Sequence, residues 1–196
     1  MRAVSMPCCW NGTTVTAPAD NDGRGMTRTG DCDVNPAAGE RQTVPGVLVR
    51  MYGTGILLVG ESGSGKSELA LGLLERGHAL VADDAVECAR GGDGEVVGSC
   101  PRALRGRIEV RGLGLLDVDR LFGAAGSCGQ TVIDLIVELK PVHDRQAWAD
   151  WPRLSAAWGR TNLLGKRLPR LLIPVAPGRQ LPLLVDTAVR TYTGRR

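Results

Sequence analysis

The chain has 196 residues, with 24 Lys and Arg against 21 Asp and Glu and a formal net charge of +3, a size that suits one domain with a segment to spare. The charge is spread along the chain without a basic block of the kind that tracks a nucleic-acid backbone, which excludes DNA or RNA as a partner. No apolar stretch approaches the roughly 20 residues of a membrane span, and residues 1–14 lack the apolar core of a secretory signal, so a cytoplasmic protein without membrane attachment is expected.

Residues 1–43 are rich in Gly, Asn, Asp, Thr and Pro and show neither the helical nor the strand period. Such a segment buries too little apolar area to offset the entropy of ordering, so a flexible tail is expected ahead of a domain at 44–196. From Val44 the runs GVLVRMY and GILLVG, split by Gly53 and Gly55, predict two strands joined by a tight turn. KSELALGLLERG places Leu69, Ala70, Leu73 and Leu74 on one helical face, with Arg76 in the last turn and Gly77 just past the end.

HALVA then predicts a buried strand, VECARGGDGEVV a hairpin, RIEVRGLGLLDV an interrupted pair of strands and TVIDLIVEL a longer strand. The stretch 140–170 holds Trp148, Trp151 and Trp158 without a clean period and reads as aromatic packing over a loop. In LPLLVDTAVRTY, Leu181, Leu184, Val185, Ala188, Val189 and Tyr192 fall at helical spacing, with Pro182 acceptable in the first turn, and predict a closing amphipathic helix. The expected class is α/β and strand-rich. Six cysteines, Cys8, Cys9, Cys32, Cys88, Cys100 and Cys128, form no C-x-x-C pair and have only His78 and His143 to complete a zinc site, so they read as free thiols.

The densest chemistry lies at Gly60, Glu61, Ser62, Gly63, Ser64, Gly65, Lys66 and Ser67, which fit G-x-x-x-x-G-K-S/T between an apolar strand and an amphipathic helix. The glycines let backbone N–H groups turn around phosphate oxygens, and the helix N-terminus adds its partial positive charge. Lys66 is placed to reach the β- and γ-phosphates, and the Ser67 hydroxyl to ligate Mg²⁺. A glycine turn capping a helix would explain the glycines but not Lys66 and Ser67 in that order.

Asp83 and Asp84 follow Lys66 by only 17 and 18 residues, whereas a phosphate-loop enzyme usually keeps its metal-binding acid far along the chain. If the crossover helix ends at Gly77, the next strand can lie beside the first and bring both acids to the γ-phosphate. Neighbouring residues on a strand face opposite sides, so only one acid is expected to point inward. An acid there can accept the proton of an attacking hydroxyl. In isolation the pair would read as a turn or helix cap. Glu109 is a further candidate metal ligand, though a lone strand glutamate is usually a solvated face.

The runs GILLVGESGSGKSELALGLLERGHALVADDAVE, IEVRGLGLLDVDRLFG and LPRLLIPVAPGRQL resemble the catalytic domain of HPr kinase/phosphorylase over about residues 44–190. The resemblance implies a phosphate-loop core similar to phosphoenolpyruvate carboxykinase, and hexameric assembly. It implies phosphorylation of a serine of the phosphocarrier protein HPr by ATP or pyrophosphate with Mg²⁺, and the reverse phosphorolysis. On matching positions, Lys66 is implied as catalytic, Ser67 and Glu109 as Mg²⁺ ligands, and residues 108–117 as a signature serving both directions. Asp84 is implied as proton acceptor in phosphorylation and donor in dephosphorylation, with Asp83 as its supporting neighbour.

Arg153 matches a family arginine suited to stabilising the transferring phosphoryl group, in a local context where Pro152 replaces an acid. Pro174, Val175, Ala176, Pro177, Gly178 and Arg179 match the loop tied to dephosphorylation, where Gly178 and Arg179 suit an incoming phosphate; as bare sequence they are a Pro-Gly turn. The chain departs from the family pattern at Pro45, where a histidine is usual, and at Arg50, often acidic. Two alternatives stand beside the HPr reading: a nucleotide-binding module without catalysis, and a kinase acting on another acceptor.

Overall fold

The computed structural model describes residues 40–142, 144–152 and 155–194. In chain order the strands and helices are β1 (Arg41–Pro45), β2 (Val47–Met51), β3 (Thr54–Gly60), α1 (Lys66–Leu74), β4 (Ala79–Ala82), β5 (Ala85–Arg90), β6 (Val96–Ser99), β7 (Arg107–Val110) and β8 (Gly114–Asp117). They continue with α2 (Val118–Phe122), β9 (Gln130–Pro141), α3 (Arg145–Ala149), β10 (Ala157–Leu163), β11 (Lys166–Val175) and α4 (Leu181–Thr193). The class is mixed α/β and strand-rich, as expected.

Nine of the strands form one sheet ordered β1-β5-β6-β9-β3-β2-β4, with β11 on β9 and β10 on β11; β7 and β8 form a separate two-stranded sheet. β2 and β3 close a hairpin in which Met51 faces Thr54. Tyr52 and Gly53 between them have φ of 51° and 75°, as a two-residue turn matched to strand twist requires. Period 2 then divides the core: Val47, Val49, Met51, Ile56 and Leu58 pack in the cluster that includes residues of α1 and α4, while Leu48 and Leu57 pack in the other.

The helices sit as their apolar stripes demand. α1 buries Leu69, Ala70, Leu73 and Leu74, and a Cβ at Gly72 would come within 2.5 Å of Pro182, so the missing side chain is what lets α4 approach α1. On α4, Val185 and Val189 are buried as predicted, but so is Asp186, between them on the same face. Its carboxylate accepts the Tyr52 hydroxyl at 2.5 Å and pairs with Arg190 at 3.2 Å, with His78 Nε2 at 3.5 Å and Arg76 at 3.9 Å. Tertiary partners, invisible in the helical period, make that position tolerable.

Three expectations change. β4 pairs with β2 rather than lying against β3; since β2 is antiparallel to both, β3 and β4 run the same way with β2 between them, and their C-terminal ends still share one edge. Residues 41–43, assigned to the tail, belong to β1, whose pairing with β5 runs from Arg41 with Ala89 to Pro45 with Ala85. That strand is largely exposed and is held by backbone hydrogen bonds, so it carries little apolar signal. Residues 1–39 of the expected tail, with Cys8, Cys9 and Cys32, lie outside the described residues; Cys88, Cys100 and Cys128 are free thiols.

The third change is in the tryptophan-rich stretch, where β10 and β11 form a hairpin closed at Leu163 and Lys166. Its turn residues Leu164 and Gly165 have φ of 47° and 76°, and the Gly165 N–H donates to Asn162 Oδ1 at 2.8 Å. β10 is mostly exposed, which is why the alternation is faint.

Candidate functional site

The glycine loop joins the end of β3 to the start of α1. Gly60 has φ of 149°, and a Cβ there would meet the Leu139 carbonyl of β9 at 2.6 Å, so only glycine lets the chain leave the sheet at this point. Gly63 and Gly65 adopt φ of 79° and 85°, and Gly65 immediately precedes α1. The Lys66 ammonium folds back over the loop, donating to the Gly60 carbonyl at 3.0 Å and the Glu61 carbonyl at 2.9 Å. A cation, a ring of glycines and the free N–H groups of a helix start thus share one small space, the arrangement that suits bound phosphate.

Opposite this loop, β4 ends at Ala82 and Asp83 follows it, 7 % exposed. One Asp83 carboxylate oxygen accepts the Ser67 hydroxyl at 3.1 Å and the other the backbone N–H of Glu109 at 2.8 Å. A single buried acid therefore ties the first turn of α1, the end of β4 and strand β7 together. Burial pushes the Asp83 carboxyl up from its ordinary value; hydrogen bonds from Glu109 and Ser67 oppose this, while the neighbouring Asp84 charge adds to it.

Asp84 is exposed and adopts a φ of 65°. Its carbonyl accepts the Gly46 N–H at 3.1 Å, and the Ala85 N–H returns to the Asp83 carbonyl at 2.8 Å. The alternation argument fails here because the strand has already ended: the left-handed turn at Asp84 brings both acids to the same opening. Lys66, Ser67, Asp83, Asp84 and Glu109 line a cleft of about 240 Å³, together with Ser62, Gly63 and Gly65 of the loop. Gly60 and Glu61 meet the cleft through their bonds to Lys66, and the Ser64 side chain is buried behind it.

The cleft also contains Val47, Glu68 and Arg111, which sequence reasoning did not single out. Arg111 lies in the turn just past the end of β7, and its place within the 108–117 signature was the available signal. Pro174 and Val175 are the last residues of β11, and Pro174 and Arg179 border a different, mostly apolar cavity of about 630 Å³ with Trp148 and Trp151. There the Arg179 guanidinium lies 5.1 Å from the Trp148 ring centre and donates to the Pro174 carbonyl at 2.8 Å. None of the residues 174–179 lines the phosphate-loop cleft. Arg153 lies outside the described residues.

The donor set of the cleft suits a hard divalent cation. The Ser67 hydroxyl and the carboxylates of Asp83 and Glu109 are oxygen donors around one opening, as expected of Mg²⁺ sites completed by phosphate and water. Among the described residues no group of three or more His, Cys, Asp and Glu is arranged to hold an ion unaided. No described helix is long and apolar enough to cross a membrane.

The chain is 45 % identical over 151 residues to HPr kinase/phosphorylase of Leptospira biflexa serovar Patoc, covering 77 % of this chain and 47 % of that one. It is 44 % identical over 150 residues to HPr kinase/phosphorylase of Caldanaerobacter subterraneus subsp. tengcongensis, covering 76 % and 48 %. The chain spans about half the length of the curated relatives it matches. Among solved structures, the Hpr(Ser) kinase/phosphatase from Coxiella burnetii superposes with a TM-score of 0.71 at 34 % identity, covering 79 % of this chain and 92 % of that one. A family model matches residues 37–196, and with it the chain belongs to the HPr Serine kinase C-terminal domain family.

Proposed function

We propose that the chain transfers a phosphoryl group from ATP or pyrophosphate to a serine of HPr, and runs the reverse phosphorolysis, on a phosphate-loop core of the phosphoenolpyruvate carboxykinase kind. The observation that carries the proposal is the Asp83 junction, which holds Ser67 and Glu109 in one cleft with Lys66 and Asp84. The named relatives, HPr kinase/phosphorylases, support the acceptor.

In this reading the loop N–H groups and Lys66 hold the donor phosphates, the ammonium exchanging its bonds to the Gly60 and Glu61 carbonyls for phosphate oxygens. Ser67 and Glu109 would hold Mg²⁺, which when bound would supply neutralisation of charge on the transferring group. Asp84 accepts the proton of the serine hydroxyl as its oxygen bonds to phosphorus and the bond to the leaving phosphate breaks. In reverse, inorganic phosphate attacks the phosphoserine, the serine oxygen leaves with the proton held by Asp84, and pyrophosphate is the second product. Arg179 is a candidate for steering the incoming phosphate, and homo-oligomeric assembly in the cytoplasm completes the proposal.

The test is phosphorylation of HPr with ATP and Mg²⁺, followed by phosphate-dependent release of pyrophosphate from phosphoserine-HPr. Asp84→Asn is expected to lower both rates by about 10²-fold or more while leaving nucleotide affinity within about threefold, the loss typical of a positioned base. Transfer unchanged in that variant would overturn the assignment. A second reading, nucleotide binding without transfer, draws on Pro45: it pairs with Ala85 beside Asp84 and offers no side-chain donor there. Nucleotide binding without phosphoserine formation on HPr would favour it.

A further inference from the structure

The side-chain charges of the phosphate-loop cleft do not favour a bare polyphosphate. Among the described residues its lining carries four carboxylates, Glu68, Asp83, Asp84 and Glu109, against two cations, Lys66 and Arg111. Burial pushes the Asp83 carboxyl toward its neutral form, yet leaving Asp83 out still sets three acids against two cations. Asp83, Asp84 and Glu109 have places in the proposed reaction as junction, base and metal ligand. Glu68 has none. It lies in the first turn of α1, just behind Gly65, and its carboxylate reaches back over the loop: a Cβ on Gly65 would stand 3.2 Å from Glu68 Oε2. The Lys66 ammonium is bonded to the Gly60 and Glu61 carbonyls instead. Among the described residues Glu68 has neither an ion pair nor a hydrogen bond.

We infer that Glu68 is a charge filter at the mouth of the phosphate loop, selecting a phosphoryl donor that arrives complexed with a divalent cation and rejecting the free polyanion. This rests on the kinase/phosphorylase reading and adds a specificity-determining residue to it. The start of a helix attracts negative charge at short range, and Glu68 places a charge of the chain's own where phosphate has to bind. A free polyphosphate therefore meets a like charge beside the same N–H groups that would hold it, and the repulsion offsets part of their attraction. A donor complexed with Mg²⁺ carries less net negative charge and a positive centre, so the same carboxylate opposes it far less. An acid in the first turn also stabilises its helix wherever it points; what separates Glu68 from that general role is its place in the lining of the cleft.

The experiment is calorimetric titration with pyrophosphate, once with excess Mg²⁺ and once with a chelator, on the unsubstituted chain, Glu68→Gln and Glu75→Gln. The last removes the same charge from an exposed position at the other end of α1, outside the cleft lining. Glu68→Gln is expected to tighten metal-free pyrophosphate by about threefold or more, the effect of one charge at a helix start, without tightening the Mg²⁺ complex by more than about 1.5-fold. The preference for the Mg²⁺ complex should therefore shrink in Glu68→Gln and stay at the unsubstituted value in Glu75→Gln. A role confined to helix stability would lower the Tm of Glu68→Gln and leave that preference untouched. An unchanged preference in Glu68→Gln, an equal reduction in Glu75→Gln, or equal affinity of the unsubstituted chain for the two forms overturns the filter and leaves the kinase reading intact. Failure of the unsubstituted chain to bind pyrophosphate in either condition overturns the filter together with the donor assignment.

Discussion

Replacing Asp83 by alanine tests the structural centre of the site. The substitution removes the acceptor of two hydrogen bonds, from the Ser67 hydroxyl at 3.1 Å and the Glu109 N–H at 2.8 Å. Ser67 is half-buried, and its hydroxyl can rotate to water. The Glu109 N–H is fixed in β7 and cannot, so its loss costs about 1–3 kcal/mol. Removing a buried carboxylate whose pKa burial has already raised returns part of that cost. A net destabilisation of about 1–2 kcal/mol, or roughly 2–8 °C in Tm, is expected.

The functional loss is expected to exceed the stability loss, because Ser67 and Glu109 are the proposed Mg²⁺ ligands and both are positioned by this one side chain. Loss of a residue that orients metal ligands typically costs about 10–100-fold in metal affinity or activity. Calorimetric titration with nucleotide should therefore show about that weakening when Mg²⁺ is present and much less when it is chelated, alongside a thermal scan. Asp83→Asn is expected to recover stability through its amide oxygen on the Glu109 N–H. The Mg²⁺ defect should persist, since the amide N–H₂ then occupies a Ser67 lone pair. A Mg²⁺ dependence in Asp83→Ala equal to that of the unsubstituted chain would refute the reasoning.

Two predictions concern the contact between α1 and α4. Burial lowers the His78 pKa from its ordinary 6.5, against the pull of Asp186; burial would raise Asp186, but the Tyr52 hydroxyl, Arg190 and His78 outweigh it and hold the carboxyl below 3.8. Both groups bind protons less readily folded than unfolded, so each adds stability at neutral pH that is lost on acidification. Tm should fall as pH drops below about 6.5 and again below about 4, and His78→Gln should remove the first fall; a flat profile between pH 7 and 5 in the unsubstituted chain would contradict this. Gly72→Ala places a methyl 2.5 Å from Pro182 and is expected to cost about 1–3 kcal/mol in chemical denaturation, whereas an unchanged midpoint would show that α4 can shift freely on α1.

Local chemistry explains why much of the molecule was legible in advance. The glycines, Lys66 and Ser67 carry their conformation and charge within eight consecutive residues, and the β2–β3 turn, α1 and α4 follow from turn chemistry and apolar period. β1 and β10 were missed for one physical reason: both are largely exposed and owe their existence to backbone pairing with β5 and β11, a partnership that leaves little trace in side-chain hydrophobicity. The buried Asp186 was unreadable because Tyr52 and His78, two of the groups that stabilise it, lie more than 100 residues away in the chain.

Sequence alone determined the phosphate loop, the pair of acids close behind it and the family resemblance, because each is a matter of residue type at short spacing. Only the tertiary structure decided how those acids differ. β2 inserts between β3 and β4, the chain turns left-handed at Asp84, and Asp83 is buried against Ser67 and Glu109. Those contacts join residues far apart in the chain, and the burial that raises the Asp83 pKa exists only once the elements have packed.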